Sequence, residues 1–273
     1  MTARSSFIEL NNITAGLIRT TVPRLPPLPG FEGYEEYQRQ IELWKKWIQW
    51  EKGDPLVLAK DDPVALRNRI LYVYKQALMA KRFCPEIWFD TAGYCFSSEM
   101  YDQGMEFLKQ GIAANPESCL LTFRYAERLE ASMPAEDGTG MEGVKRRGQA
   151  VRKPYEELLN ALYTQVAKVQ QREKDELAKI EEMMPTSSRR RRLSAGGEVE
   201  FDDDEDDDDD EDVDAVANRA AKEAQTQYIK DATKAQVTGM SKTISAVWVN
   251  LMRAMRRIEG HGKVGDPATS IGG

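Results

Sequence analysis

The chain has 273 residues, of which 41% are hydrophobic, and this is enough for a packed core over most of its length. Its formal net charge of −7 hides an asymmetry, because 14 of the 45 acidic residues and no basic ones lie at positions 198–214. The rest of the chain has 31 acidic and 38 basic residues, a net charge of +7. Three widely spaced cysteines in apolar surroundings, Cys84, Cys95 and Cys119, argue against a disulfide framework and against a zinc site. The sequence has no run of about 18 apolar residues and no signal-peptide-like start, which predicts an intracellular protein without a membrane span.

Residues 1–33 show little periodicity and carry four prolines near their end, which predicts an extended, proline-rich N-terminal segment. The spacing of Pro23, Pro26 and Pro29 would also suit a ligand of an SH3-type domain. In such ligands, however, the basic residue stands one place before the position that Arg24 occupies. We therefore favour a linker packed on the first helix over a peptide ligand.

Helical periodicity begins at Tyr34, where apolar residues step by alternate fours and threes up to Glu51, and Gly53 and Pro55 close the segment. A second helix is predicted to follow directly, with Asp62 as its N-cap and with a proline in the first helical position, where a missing N–H has no consequence. Its apolar stripe consists of Leu66, Ile70, Val73, Tyr74, Ala77 and Leu78.

The same two-helix pattern then repeats. Pro85 and Pro116 each open a further helical segment, and Pro85-x-x-Trp88 superposes on Pro116-x-x-Cys119 with a period of 31 residues. From Trp44 to Trp88 the period is 44 residues, because the first loop between helices is longer. Repeating helix pairs without strand-like alternation predict an all-α fold, an α-solenoid of antiparallel helix pairs over residues 34–184.

A long helix is predicted to start at about Pro154 and to end at Met184, as a coiled coil or, the interpretation we favour, as an extended second helix of the third pair. Residues 185–212 cannot bury enough apolar surface to offset their ordering entropy, which predicts a disordered arginine-rich and acidic linker. Residues 213–260 are predicted to be helical again, with a break near Gly239, and residues 261–273 to be a flexible tail.

No arrangement of residues points to catalysis, a cofactor or a metal. The chain has a single histidine, His261, no phosphate-binding loop, and no paired carboxylates in an apolar context. Gly260, Gly262 and Gly265 match a dinucleotide-binding pattern in spacing alone, since a helix rather than a strand precedes them. We interpret this segment as the end of a helix and predict a protein that is not an enzyme.

Three tryptophans, at positions 44, 47 and 50, stand among lysines, which raises the question of a platform for stacking RNA bases. Three exposed tryptophans would form an apolar patch of roughly 450–750 Å², at or above the largest that soluble monomers usually show. We therefore predict that the rings pack inward, that Lys45 and Lys46 face solvent, and that at most one ring, Trp50, is left for a partner.

Two short motifs lie in the predicted linker. Arg189, Arg190, Arg191 and Arg192 form a patch typical of nuclear localisation, and the spacing from the arginines to Ser194 suits a basophilic kinase, so that Ser194 is a possible phosphosite. The acidic tract at 198–214 is interpreted as a solvated spacer with a modest masking effect on the basic remainder of the chain.

The first pair resembles the half-a-TPR (HAT) repeat. The motif residues are Trp44, Trp47 and Glu51 on the first helix, the run RILYVYKQAL at 69–78 on the second, and Pro85-x-x-Trp88 at the next repeat. Together with GLIRTTVPRLPPLPGF at 16–31 and VWVNLMRAMRRIEG at 247–260, these residues make the chain similar to the suppressor-of-forked family, the scaffold subunits of the mRNA 3'-end cleavage and polyadenylation machinery related to cleavage stimulation factor.

The resemblance implies a scaffold in the nucleus, with the cytoplasm as an additional location, that binds protein subunits of the cleavage and polyadenylation machinery and contacts RNA indirectly. It implies repeat packing, rather than chemistry, for Trp44, Trp47, Glu51, Tyr74, Pro85, Trp88, Pro116 and Trp248. Cys95 stands where the second repeat would have its glutamate, and the third repeat lacks the tryptophan, so both copies are degenerate. Family members are longer and form homodimers, and we expect the dimerising repeats to be missing from this chain.

Alternative functions remain open at this point. One is a HAT-repeat scaffold of another RNA-processing complex, for splicing or ribosomal RNA. A second is a module that binds RNA directly, and a third, resting on residues 198–214 alone, is a chaperone for basic proteins.

Overall fold

The computed structural model describes residues 3–20, 22–132, 141–183 and 213–260, and these residues form helices and loops without a β-strand. The helices are α1 (Ala3–Thr14), α2 (Tyr34–Lys52), α3 (Leu58–Asp61), α4 (Pro63–Ala80), α5 (Pro85–Ser97), α6 (Tyr101–Ala114), α7 (Cys119–Ser132), α8 (Met141–Met183) and α9 (Val213–Glu259). The predicted all-α class is confirmed. No helix in these ranges is long and apolar enough to cross a membrane.

The chain divides into two compact units, Met1–Leu158 with Leu251–Gly273, and Leu159–Asn250. The first unit holds the repeated helix pairs. Its main core is a continuous cluster of buried side chains from α2, α4, α5, α6 and α7. In the second unit the buried side chains are Leu159, Leu162, Val169 and Ile180 of α8 and Ile244 and Val247 of α9.

Local chemistry explains where the first helix pair begins and ends. At the end of α2, the Gly53 N–H donates to the Gln49 carbonyl oxygen over 3.0 Å. Asp62 is the N-cap of α4, because its Oδ1 accepts from the Ala65 N–H over 2.9 Å, and Pro63 is the first helical residue. The predicted bounds of α2 and the predicted start of α4 are confirmed.

Close contact between α5 and α6 depends on two glycines of α6. A Cβ atom at Gly104 would lie 2.6 Å from the Phe96 ring, and one at Gly111 would lie 2.9 Å from Trp88. Both distances are shorter than van der Waals contact, so any larger residue would push the helices apart.

The N-terminal segment and the start of α7 differ from the sequence expectation. Residues 3–14 form a helix, whereas an extended segment was predicted for 1–33. This helix is fixed by tertiary contacts that periodicity cannot show: Leu10 and Ile13 pack against the main core. Helix α7 begins at Cys119 rather than at Pro116. The Ser118 hydroxyl accepts from the Leu121 N–H (3.4 Å) and so caps the helix, whose first residue follows directly.

The two long helices also correct the sequence analysis. Helix α8 begins at Met141, and Pro154 lies inside it, although a proline in a helix interior costs about 3 kcal/mol. Pro154 is buried beside Val151, Tyr155 and Leu158, and the burial of this face offsets the cost. Helix α9 continues through Gly239, where the predicted break is absent, since an exposed glycine in a helix costs only about 1 kcal/mol.

The segments that carry the predicted linker, residues 185–212, and the predicted tail, residues 261–273, lie outside the described residues. The same holds for Arg189, Arg190, Arg191, Arg192, Ser194 and His261.

Candidate functional site

Glu51 is the polar centre of the first helix pair. Its side chain is almost completely buried on α2, and its Oε1 accepts from the indole N–H of Trp47, one turn earlier on the same helix, over 3.3 Å. Arg69 of α4 donates two further hydrogen bonds, from Nε to Oε2 (3.1 Å) and from Nη2 to Oε1 (3.0 Å). Both carboxylate oxygens are therefore satisfied, and the bidentate geometry fixes how α2 and α4 cross.

The three tryptophans of α2 do not form a surface platform. Trp44 and Trp47 are 1% and 6% exposed, and their rings stack with centroids 5.5 Å apart. Trp50 is half-buried against the same core, while Lys45 and Lys46 are exposed. The lysines thus lie on the outer face of the helix, and the rings face the neighbouring helices.

The second repeat keeps the positions but changes their chemistry. Trp88, Thr91 and Cys95 follow Trp44, Trp47 and Glu51 by 44 residues, and all three are buried. The Trp88 indole N–H donates to the carbonyl oxygen of Arg82 over 2.8 Å. Burial raises the pKa of the Cys95 thiol to about 11, so a neutral group occupies the place of the glutamate.

The third repeat is further reduced. Cys119, Thr122 and Ala126 follow the second set by 31 residues, and Thr122 and Ala126 are buried. A charged centre is thus present in the first of these three repeats, while small or neutral side chains fill its place in the other two.

An aromatic and cationic cluster connects the first and second repeats. Tyr74 of α4 is buried, and its ring centroid lies 5.7 Å from that of Tyr94 on α5. The Lys52 ammonium group lies 5.2 Å from the Tyr74 centroid and 5.6 Å from the Tyr94 centroid, which is within cation–π range. Burial lowers the pKa of Lys52, and the two ring faces partly replace the lost hydration.

Gln40 holds the N-terminal segment against α2. It is almost completely buried; its Oε1 accepts from the Ile18 N–H and its Nε2 donates to the Gly16 carbonyl oxygen, both over 2.9 Å. One residue further on, the Arg19 guanidinium lies 4.6 Å from the centre of the Trp47 ring. These contacts place residues 16–19 on α2, the first helix predicted from the sequence. This agrees with the interpretation of the N-terminal segment as a linker packed on that helix.

Pro85 is the first residue of α5, whereas Pro116 lies in the loop before α7. Trp248, with 42% of its surface exposed, and the exposed Pro116 differ from the other predicted packing residues, which are buried or half-buried. The Trp248 indole N–H donates to the Tyr163 hydroxyl over 3.1 Å, within the second compact unit. The sequence predicts that Ile244, Trp248, Leu251, Met255 and Ile258 share an apolar face. Ile244, Leu251 and Met255 are buried as predicted, and Val247 and Ala254 extend the buried side of α9 away from Trp248.

The end of α9 packs in the first unit. The Arg257 guanidinium donates to both carboxylate oxygens of Glu130 on α7, over 2.7 and 2.8 Å, and these bonds lower the pKa of the Glu130 carboxyl. Gly260 follows with φ of 84° and ends the helix, which agrees with the interpretation of this glycine as a helix terminus.

Sequence reasoning missed Arg69 as the partner of Glu51 and Gln40 as a clamp on the N-terminal segment. Arg69 is 18 residues from Glu51, and Gln40 is 22 residues from Ile18, and no periodic pattern joins such positions. The signal available for Arg69 was Glu51, a charged residue predicted to lie on the packed face of its helix, since a buried carboxylate needs a cationic partner.

Among the described residues, no group of three or more histidine, cysteine or acidic side chains could hold a metal ion. Cys84 is buried, its thiol donates to Glu86 Oε2 over 3.0 Å, and burial raises its pKa to about 12. The geometry of the described part is therefore one of helix packing, and its buried carboxylate, Glu51, is engaged in that packing.

Comparison with known proteins agrees with this arrangement. The sequence profile of the family described as Suppressor of forked protein matches residues 1–265. A protein of Aspergillus fumigatus named mRNA 3'-end-processing protein rna14 is 50% identical over 266 residues, which cover 97% of this chain and 24% of that protein. The namesake proteins of Neurospora crassa and Schizosaccharomyces pombe are 41% and 30% identical, over 98% and 62% of this chain.

The chain spans about a quarter of the length of the curated relatives that it matches best along its length. The match to the family profile nevertheless covers nearly all of the chain, including the HAT-type first repeat and the VWVNLMRAMRRIEG segment. The chain belongs to the suppressor-of-forked protein family.

Proposed function

We propose that this chain is a non-enzymatic, protein-binding scaffold segment that acts in the cleavage and polyadenylation of pre-mRNA 3' ends in the nucleus. The observation that carries the proposal is the 50% identity to a protein named for mRNA 3'-end processing, over 97% of the chain, combined with repeats whose most prominent polar residues are buried in packing. Stacked helix pairs offer long surfaces on which partners bind without a catalytic cleft.

The predicted packing residues have a defined role in this proposal. Trp44, Trp47, Glu51, Tyr74, Pro85 and Trp88 hold the first repeats together and so set the curvature of the surface. The burial of all of these side chains except the half-buried Pro85, and the two hydrogen bonds between Glu51 and Arg69, support this role. Trp248, which is partly exposed, takes an edge position, and Pro116 sets the loop before the third repeat.

The partners that we propose are protein subunits of the cleavage and polyadenylation machinery, with RNA bound indirectly through them. The inward packing of Trp44 and Trp47 supports indirect RNA contact, because these rings cannot stack on bases. Nuclear import through Arg189 to Arg192 and phosphorylation of Ser194 stay predictions from the sequence.

Affinity purification of the tagged chain from fungal cells, followed by mass spectrometry, tests the proposal. Recovery of cleavage and polyadenylation subunits is expected. Recovery of spliceosomal or ribosome-assembly proteins in their place would assign the chain to another RNA-processing complex. Lys46→Glu is a suitable control, because it reverses an exposed charge and leaves the packing unchanged, so the variant should recover the same proteins.

A further inference from the structure

A groove runs between α4 and α6 on the surface of the first compact unit. It has a volume of about 890 Å³ and is open to solvent. One wall is a stripe of α4 and the other a stripe of α6, with Arg19 and Pro23 of the N-terminal segment at one side. We call it the α4–α6 groove, and its wall residues are Lys75, Leu78 and Met79 of α4, Arg82 of the loop that follows α4, and Gln103, Glu106, Phe107 and Gln110 of α6.

The two walls have the same helical spacing. The lining residues of α6 follow the pattern i, i+3, i+4 and i+7, and those of α4 follow i, i+3 and i+4, so that each wall is one face of its helix. Arg82, just past the end of α4, extends the first wall. Seven residues of helix rise about 10 Å, which is the length of three to four residues of extended chain. The groove therefore has the dimensions of a site for a short linear segment.

The floor of the groove is apolar and firmly packed. Leu78, Trp88 and Phe107 line it, and each is less than a tenth exposed. Met79 stands on the wall with 67% of its surface exposed. A flexible thioether beside a fixed aromatic floor suits a bulky apolar side chain of variable shape.

The charges around the groove are mostly positive. Arg19, Lys75 and Arg82 line it, against a single acidic residue, Glu106, which accepts a hydrogen bond from Gln110 over 2.9 Å. Within the described part of the chain, neither Lys75 nor Arg82 forms an ion pair with a carboxylate. These two cations stand at opposite ends of the α4 wall, seven residues apart.

The position of Arg82 is fixed by its backbone. Its carbonyl oxygen accepts from the Trp88 indole N–H (2.8 Å) and from the Asn115 side-chain amide (3.1 Å). The loop after α4 is thus tied to α5 and to the end of α6, and the Arg82 side chain starts from a defined point at the end of the groove.

We propose that the α4–α6 groove binds a linear segment of a partner protein that carries a bulky apolar residue between acidic residues. The apolar residue lies on the exposed Met79, above the buried apolar floor, and the flanking carboxylates face Lys75 and Arg82. That the groove has a protein partner rests on the proposed scaffold function. The place of binding and the chemistry of the bound segment are inferred from the groove itself.

A protein segment fits the groove better than RNA does. Base stacking needs exposed ring faces, and both Trp88 and Phe107 are 7% exposed. Glu106 in the middle of the α6 wall would repel a phosphate backbone, whereas an apolar side chain can lie beside its hydrocarbon stem.

The test is fluorescence anisotropy with the purified full chain and a labelled peptide that has a central Phe-Leu pair flanked by aspartates and glutamates. Saturable binding is expected, and a peptide with Ser-Ser in place of Phe-Leu should bind at least several-fold more weakly. The double variant Lys75→Glu with Arg82→Glu should weaken binding about tenfold or more, since two attractive contacts become repulsive. Met79→Gln should reduce the difference between the two peptides without changing the dependence on salt.

The matched control is Lys46→Glu with Lys60→Glu, which changes the net charge equally at two exposed lysines outside the groove. Its binding should equal that of the unaltered chain, and circular dichroism should show that both double variants are folded. Equal weakening by both pairs, or equal affinity for the Ser-Ser peptide, would overturn the proposal.

Other occupants give distinct results. Binding that is seen only after deletion of residues 198–214 would assign the groove to the chain's own acidic tract. Binding of single-stranded oligouridylate with the same dependence on Lys75 and Arg82 would assign it to RNA. A dimer in sedimentation that the groove variant abolishes would assign it to a second copy. Because the test uses the purified chain, its failure leaves the recovery of 3'-end-processing subunits, and thus the proposed function, unaffected.

Discussion

Replacing Arg69 by methionine should destabilise the protein more than replacing Glu51 by glutamine. The Glu51 carboxylate is 3% exposed and accepts three hydrogen bonds, two of them from Arg69. Without Arg69, an ionised carboxylate remains buried with the Trp47 N–H as its hydrogen-bond donor, and a buried ion pair broken in this way costs about 3–5 kcal/mol.

Glu51→Gln leaves a smaller defect. The Arg69 side chain is 37% exposed, so its guanidinium can recover hydration, and the glutamine carbonyl oxygen still accepts one hydrogen bond. Loss of charge-assisted hydrogen bonding then costs about 1–2 kcal/mol. Replacing both residues by apolar ones, Glu51→Leu with Arg69→Met, should recover part of the loss caused by Arg69→Met alone, because no buried charge remains.

The assay is urea unfolding monitored by far-ultraviolet circular dichroism, with the free energy of unfolding taken by linear extrapolation. The control is the pair Arg152 and Glu156, one helical turn apart on α8 and half-exposed on both sides, where Arg152→Met should cost less than about 1 kcal/mol. If Arg69→Met cost no more than Glu51→Gln, or if the double variant were less stable than Arg69→Met, the description of Glu51 as a buried charge held by Arg69 would be refuted.

Three further predictions concern the N-terminal clamp, the α5–α6 contact and the thiols. Gln40→Ala removes the two hydrogen bonds to Gly16 and Ile18, so trypsin should cleave after Arg19 several-fold faster; the same rate in the variant and the unaltered chain would contradict the clamp. Gly111→Ala should cost about 1–3 kcal/mol in urea unfolding, because its Cβ would lie 2.9 Å from Trp88, whereas Gly93→Ala, with open space around it, should stabilise by up to about 1 kcal/mol; equal effects would speak against the close contact. Burial raises the pKa of Cys84 to about 12 and that of Cys95 to about 11, so the native thiols should react slowly with iodoacetamide. Above the ordinary thiol pKa of 9.0 the unfolded chain loses protons that the folded chain keeps, so the urea midpoint should fall as the pH rises. This fall should be smaller in Cys95→Ala.

Features set by neighbours in the sequence could be predicted, and features set by distant contacts could not. The Asp62 cap and the proline after it follow from the chemistry of adjacent residues, and so does the end of α2 at Gly53. The inward packing of Trp44 and Trp47 followed from the area that exposed rings would present. The repeats could be recognised because the same side chains recur at a fixed spacing.

The misses have a common physical origin. Helix α1 and the passage of α8 through Pro154 depend on burial against other helices, which overrides local propensity. Trp248 is partly exposed because the buried side of α9 extends towards Val247 and Ala254, which leaves Trp248 at its edge. The ion pair of Glu51 with Arg69 and the clamp of Gln40 join residues far apart in the sequence, and only the fold brings them together.

The α4–α6 groove could not be predicted either. Lys75 and Leu78 lie in the run at 69–78 that resembles the HAT motif, and Met79 and Arg82 follow that run, but the opposite wall belongs to the next repeat. The sequence shows two amphipathic helices, and only their relative placement shows that they leave a basic, apolar-floored groove between them.

The central claim, that the chain scaffolds the 3'-end-processing machinery through protein contacts, is tested most directly by pull-down from a fungal nuclear extract with and without ribonuclease. The account predicts that cleavage and polyadenylation subunits are retained on the tagged chain after complete digestion of RNA. Release of these subunits by ribonuclease, or their absence from the untreated pull-down, would contradict it.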